Sequence, residues 1–226
     1  MSEVPSTIEH AAAPVVAHHA HVAHQFDDLE QQHEADTLGM WIFLATEVLF
    51  FSALFTAYAT YRFLYPEGFL EASHHLNWPI GAINTGVLLC SSLSVALAVH
   101  AAQHGHQRRL VLLLLITMAL GATFLGIKAY EYYVDYEEGL IPGLNFTQTG
   151  PHAQQVALFF VLYFTMTGIH ALHMIIGLGV FALLAFLAWR GRFTPGQHMP
   201  VELTGLYWHF VDIVWVFLYP MLYLIG

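Results

Sequence analysis

A chain of 226 residues with 57% hydrophobic and only 10% charged side chains cannot cover a water-facing surface, because soluble domains carry about 25% charge. Its mean hydropathy is +0.58, so lipid is the expected solvent. Six Lys and Arg against sixteen Asp and Glu exclude a nucleic-acid footprint, and the single cysteine, Cys90, excludes an intrachain disulfide or a Cys-based cluster.

Residues 1–36 are polar, acidic and rich in Ala and His. They read as a disordered, His-rich cytoplasmic tail ending near Asp36 and Thr37, either of which could cap a helix. The opening MSEVPSTIEH has neither a basic nor an apolar leader region, so no cleaved signal peptide is expected. Apolar segments follow at about 38–65, 79–101, 108–134, 153–189 and 203–225, each reaching the ~20 residues that cross a bilayer. The expected fold is all-α, an integral membrane bundle of five transmembrane helices over 37–226. The fourth segment is long enough to tilt or to protrude.

Arg108 and Arg109 precede the third segment, and Arg190 and Arg192 follow the fourth. With five spans these four share the face of the N-terminus, while Arg62 and Lys128 lie towards the other. The excess of positive charge places the N-terminus inside and the C-terminus outside. The loop 134–152 is then exoplasmic and, with Pro142, Gly143 and Gly150, turns compactly over the outer surface. Tyr130, Tyr132, Tyr133 and Tyr136, with Trp78, Trp189 and Trp208, fit interfacial belts. Cys90 reads as a small buried hydrophobe.

Ionisable groups within the spans point to function, since lipid penalises them unless they are paired. Glu47, in WIFLATEVLFF, lies about 15 Å from the inner end of the first helix at about 1.5 Å per residue. It must be protonated, hydrogen-bonded or hydrated. Its candidate partners are His173, His209 and Asp212, and depth counting favours His209 and Asp212. The bland reading of such a site is a polar bridge between helices, and the functional reading is proton handling. His170 and His173, three apart on one helical face, could ligate a metal, but read first as an interhelical hydrogen-bond site beside Gly168, Gly177 and Gly179. Lys128 and Glu131 read as a local ion pair near the outer end. His100, His104 and His106 read as interfacial residues, and Arg108, Arg109 and Arg190 as candidates for lipid headgroups. His18, His19, His21 and His24 of the tail could bind a transition metal weakly, but read as solvated. No Walker loop, dinucleotide fingerprint, nucleophile elbow or HExxH sequence is present.

The strings YWHFVDIVWVFLY (207–219), TGIHALHMIIG (167–177), WIFLATEVLFFSALF (41–55), KAYEYY (128–133) and NTGVLLCSS (84–92) resemble subunit III of the cytochrome c oxidases, over residues 37–226. With five helices in place of seven, the chain looks like the short bacterial form of that haem-copper oxidase subunit. The resemblance implies a non-catalytic accessory subunit of an oxidoreductase complex in aerobic respiration, one that couples oxygen reduction to proton translocation. It implies no haem or copper in this chain, with both in partner subunits. It also implies docking on the catalytic subunit I, contacts with phospholipids, protection against turnover inactivation and support of proton uptake. Glu47 matches the family's carbodiimide-reactive glutamate, with His173 as its partner. The expected location is the bacterial inner membrane. Cytochrome c is the expected electron donor, with quinol as the alternative, and a related variant accompanies nitric oxide reductases. A free-standing proton or ion transporter, or a metalloenzyme built on His170 and His173, are the rivals from other classes.

Overall fold

The computed structural model describes residues 28–193 and 198–224. The chain forms α1 (Leu29–Leu64), α2 (Pro66–Ser73), α3 (Trp78–Gln103), α4 (Gln107–Glu137), α5 (Ala153–Trp189) and α6 (Met199–Tyr223). No strand occurs among the described residues. Every helix but α2 is long and apolar enough to cross a membrane, and the protein is a multi-pass membrane protein. The histidines at 18, 19, 21 and 24, and the tail up to residue 27, lie outside the described residues.

The first helix starts earlier than its apolar pattern. Asp28, rather than Asp36 or Thr37, is the N-cap, and its carboxylate accepts a hydrogen bond from the Gln31 amide at 2.8 Å. The segment LEQQHEAD is built mostly of residues that favour helix, so helix continues past the lipid-facing part, which is all that hydropathy marks. At 36 residues α1 is about 54 Å long, well beyond the ~30 Å hydrocarbon core, and α5, at 37, is longer still. α2 went unpredicted because it is short. It begins at Pro66 and lays Phe69 against Tyr58 and Phe159 at one end of the bundle.

α6 is the central element, with 61% of its apolar window buried, against 11% for α1 on the edge. Between helices in lipid the hydrophobic effect supplies little, so close packing and polar bonds hold the bundle. Trp208 is fully buried rather than interfacial, and its indole N–H donates to Ser91 Oγ on α3 at 3.0 Å. A Cβ at Gly177 on α5 would lie 2.8 Å from that ring, and one at Gly121 on α4 would lie 3.0 Å from it. These two glycines let three helices close on one tryptophan. Gly168 and Gly179 have no such role, since a Cβ at Gly179 meets nothing within 4 Å and one at Gly168 meets only the Tyr132 hydroxyl at 3.9 Å. Trp215 donates in the same way to Thr85 on α3 and stands edge-on to Phe124.

Among the expected belt residues, Trp78, Trp189, Tyr130, Tyr133 and Tyr136 are exposed. Tyr132 turns inward to share a hydrogen bond with Thr167. Cys90 is exposed on the outside of α3, not buried. The loop between α4 and α5 folds back on itself, with the Thr147 amide donating to the Gly139 carbonyl at 2.9 Å. Gly139 adopts φ +67°, and a Cβ there would collide with the Thr147 side chain.

Candidate functional site

Glu47 on α1 meets His173 on α5, with Oε2 to Nε2 at 3.0 Å. Both side chains are largely buried, 19% and 14% exposed. His173 Nδ1 lies 2.9 Å from the Ile169 carbonyl oxygen one turn back, and a carbonyl can only accept, so Nδ1 carries hydrogen. The bond to Glu47 therefore contains one proton. Either a carboxylic acid donates to a bare imidazole nitrogen, or an imidazolium donates to a carboxylate. Both arrangements are neutral as a pair, which suits a site within the membrane. Tyr207 on α6 donates its hydroxyl to the His173 carbonyl at 3.1 Å, and the Phe51 ring packs 5.3 Å from the imidazole. The pair can hold a proton and shift it between two atoms.

Depth counting had favoured His209 and Asp212 as partners of Glu47, and the structure corrects it. Both sit on the side of α6 that meets α3. His209 Nδ1 lies 2.7 Å from Ser92 Oγ, and the same serine acts on Asp212. Asp212 is 3% exposed, and neither of its oxygens makes a well-formed hydrogen bond. Depth alone does not choose the partner, and rotation about the helix axis does.

His170 does not join His173 in a shared site. It is buried between Phe124 and Trp215, at ring distances of 5.6 and 5.2 Å, and neither ring nitrogen has a partner. Among the described residues no group of three or more His, Cys, Asp or Glu converges in a way that could hold a metal ion.

Lys128 and Glu131 form the expected ion pair at 3.1 Å, but within a larger network. The Lys128 ammonium also donates to Tyr163 on α5 at 2.9 Å and to Tyr223 on α6 at 2.7 Å, using all three N–H groups. Tyr223 in turn donates to Glu131 Oε1 at 2.6 Å. Asp135, also buried, lies beside them with Oδ2 unpartnered. Positions 128, 131 and 135 share one face of α4, so Asp135 could have been found from spacing. Tyr163, Tyr223 and Ser92 carried no sequence signal, because their partners lie on other helices. Arg108, Arg109 and Arg190 are exposed at helix ends, with Arg190 over the Phe186 ring at 5.0 Å. The His104 ring stacks on that of His106 and lies tilted against that of His100.

Residues 29–226 match the family described as cytochrome c oxidase subunit III. A Corynebacterium diphtheriae protein named cytochrome c oxidase subunit 3 is 32% identical over 191 residues, which span 84% of this chain and 87% of that protein. Proteins of the same name from Tragelaphus oryx and Balaenoptera musculus are each 34% identical, over 82% of this chain and 67% of their own length.

Proposed function

The chain belongs to the cytochrome c oxidase subunit III family, and from that premise we propose that Glu47 and His173 are its proton-handling element. The protein is an accessory subunit of a haem-copper oxidase and works in a membrane complex with the other oxidase subunits. In our reading it docks on the catalytic subunit I, stabilises it and supports proton uptake into it. The single observation that carries the proton role is the neutral, one-proton bond between Glu47 and His173 within the spans.

Haem and copper belong to the partner subunits. In support, His173 is engaged by Glu47 and a backbone carbonyl, and His170 is enclosed by aromatic rings. The complex takes its electrons from cytochrome c, as the relatives' names state for those proteins. The membrane is the bacterial inner membrane, with the start of α1 in the cytoplasm and the end of α6 outside. Arg108, Arg109, Arg190 and Arg192 at one end of the bundle support that orientation, since Lys128 at the other end is sequestered in an ion pair. Arg108, Arg109 and Arg190 are placed to meet phospholipid headgroups.

Gentle detergent purification through a tag on this chain tests the reading. Haem absorption and a large haem-copper subunit are expected in the eluate, and a colourless chain from membranes that retain intact oxidase would refute it. Within that complex, Glu47→Gln is expected to slow proton uptake while leaving the haem spectrum unchanged. An unaltered uptake rate would remove the proton role.

A further inference from the structure

Positions 128, 131 and 135 place one cation and two carboxyls on a single face of α4, and the bundle buries all three. Lys128 is 3% exposed, Glu131 6% and Asp135 3%. With every group in its usual charge state, the cluster would carry one net negative charge inside the bundle. A buried carboxylate is tolerated only where a cation and hydrogen bonds answer it.

The hydrogen bonds divide the two carboxyls. Lys128 has three N–H groups, and they go to Glu131, Tyr163 and Tyr223. Tyr223 passes its own hydrogen to Glu131 Oε1, so both oxygens of Glu131 are satisfied. Lys128 has no hydrogen left for Asp135, whose Oδ2 is buried without a partner. The groups that face Asp135 are Lys128, Glu131 and Tyr132 on α4, Glu138 just past its end, Tyr163 on α5 and Tyr223 on α6. Lys128 is the one cation among them, and it is already paired. Tyr163 can turn its hydroxyl hydrogen to Asp135 or to Tyr223, which offers at most one neutral bond. The two glutamates repel a further negative charge. Among the described residues, no third His, Cys, Asp or Glu joins Glu131 and Asp135 to complete a metal site.

A proton on Asp135 removes the difficulty. The cluster becomes neutral, and Glu131 keeps Lys128 as its own counter-ion. The unpartnered Oδ2 is then an oxygen of a neutral acid, whose burial costs far less than a carboxylate's.

We infer that Asp135 is a second proton-binding site of this chain, holding its proton at neutral pH beside the Lys128–Glu131 pair. The site is separate from Glu47 and His173, and it does not depend on the role proposed for them.

Infrared spectroscopy of the purified membrane complex tests it. The parent is compared at neutral pH with Asp135→Asn, whose amide is close in size to the neutral acid. The parent is expected to show a protonated-carboxyl C=O band, shifted in heavy water, that the variant lacks. Glu47 and Asp212 are present in both samples and cancel in the difference. The variant is expected to assemble like the parent, since it reproduces an uncharged side chain. Thermal release of the chain gives a second readout. In the unfolded chain Asp135 ionises above about pH 4, so the bound proton stabilises the fold fully below that and less as pH rises. Between about pH 5 and 7, each unit is expected to weaken the parent up to tenfold relative to the variant. Identical carboxyl bands, parallel pH profiles, or a variant that leaves the complex would each show an ionised Asp135 and overturn the inference.

Discussion

Lys128→Met is the sharpest perturbation of the Lys128–Glu131 network. Methionine keeps most of the packing of the lysine stem but deletes three donated hydrogen bonds, to Glu131, Tyr163 and Tyr223. Glu131, only 6% exposed, is left with the Tyr223 hydroxyl as its one partner. Most of the cost comes from that uncompensated carboxylate, and breaking a buried pair costs about 3–5 kcal/mol. The two tyrosine bonds add less, since interhelical hydrogen bonds in lipid average roughly 0.6 kcal/mol each. For a chain of this size each kcal/mol moves the midpoint by about 2–4 °C, so a fall on the order of 10 °C is expected. The assay is thermal unfolding and release of this chain from the purified oxidase. Trp215 gives a local fluorescence probe, with its ring 5.4 Å from the ammonium. Adding Glu131→Gln to Lys128→Met removes the stranded charge and is expected to bring stability back to within about 1 kcal/mol of the parent. A single variant that loses less than about 1 kcal/mol, or a double variant no better than the single, would refute the ion-pair account.

The other variants divide the remaining sites by their geometry. Glu47→Gln keeps a donor for His173 Nε2 and is expected to leave assembly intact. Glu47→Leu removes the bond between α1 and α5 and is expected to cost about 1–3 kcal/mol, read as dissociation in mild detergent. His170→Phe keeps the ring contacts with Phe124 and Trp215 and removes two unpartnered nitrogens, so thermal unfolding should show no loss, or a gain of about 1 kcal/mol. A clear loss would mean that His170 has a partner the ring packing does not show. Gly177→Ala pushes a methyl into Trp208 and is expected to cost about 1–3 kcal/mol. Gly179→Ala meets open space and should be neutral or stabilising by up to about 1 kcal/mol, through helix propensity. Equal effects at the two glycines would contradict the packing around Trp208.

Much of the fold could be read from hydropathy because lipid imposes a length and a composition on every span. The last three spans coincide with their apolar runs to within a few residues for that reason. What hydropathy could not mark was polar helix outside the hydrocarbon, hence the early start at Asp28 and the unforeseen α2. Burial was harder to read, because in lipid an apolar residue can face outward at no cost. Cys90 and Trp208 were therefore each assigned to the wrong side.

The polar sites follow a related rule. A pair on one helix is fixed by 3.6-residue periodicity, so Lys128 with Glu131 could be read directly from spacing. A pair across helices depends on depth and on rotation about each axis, and sequence supplies only depth. Counting along the helices puts Glu47, His209 and Asp212 at similar depths, yet α1 turns Glu47 towards α5 while α6 turns His209 towards α3. The same rotation separates neighbours on α5, where His173 reaches α1 and His170, one turn away, faces the aromatic core. Two histidines that look like one motif thus do different physical work. One binds the edge helix to the bundle through a shared proton, and the other fills space among rings. Substituting them one at a time separates proton chemistry from packing, which substituting both together would confound.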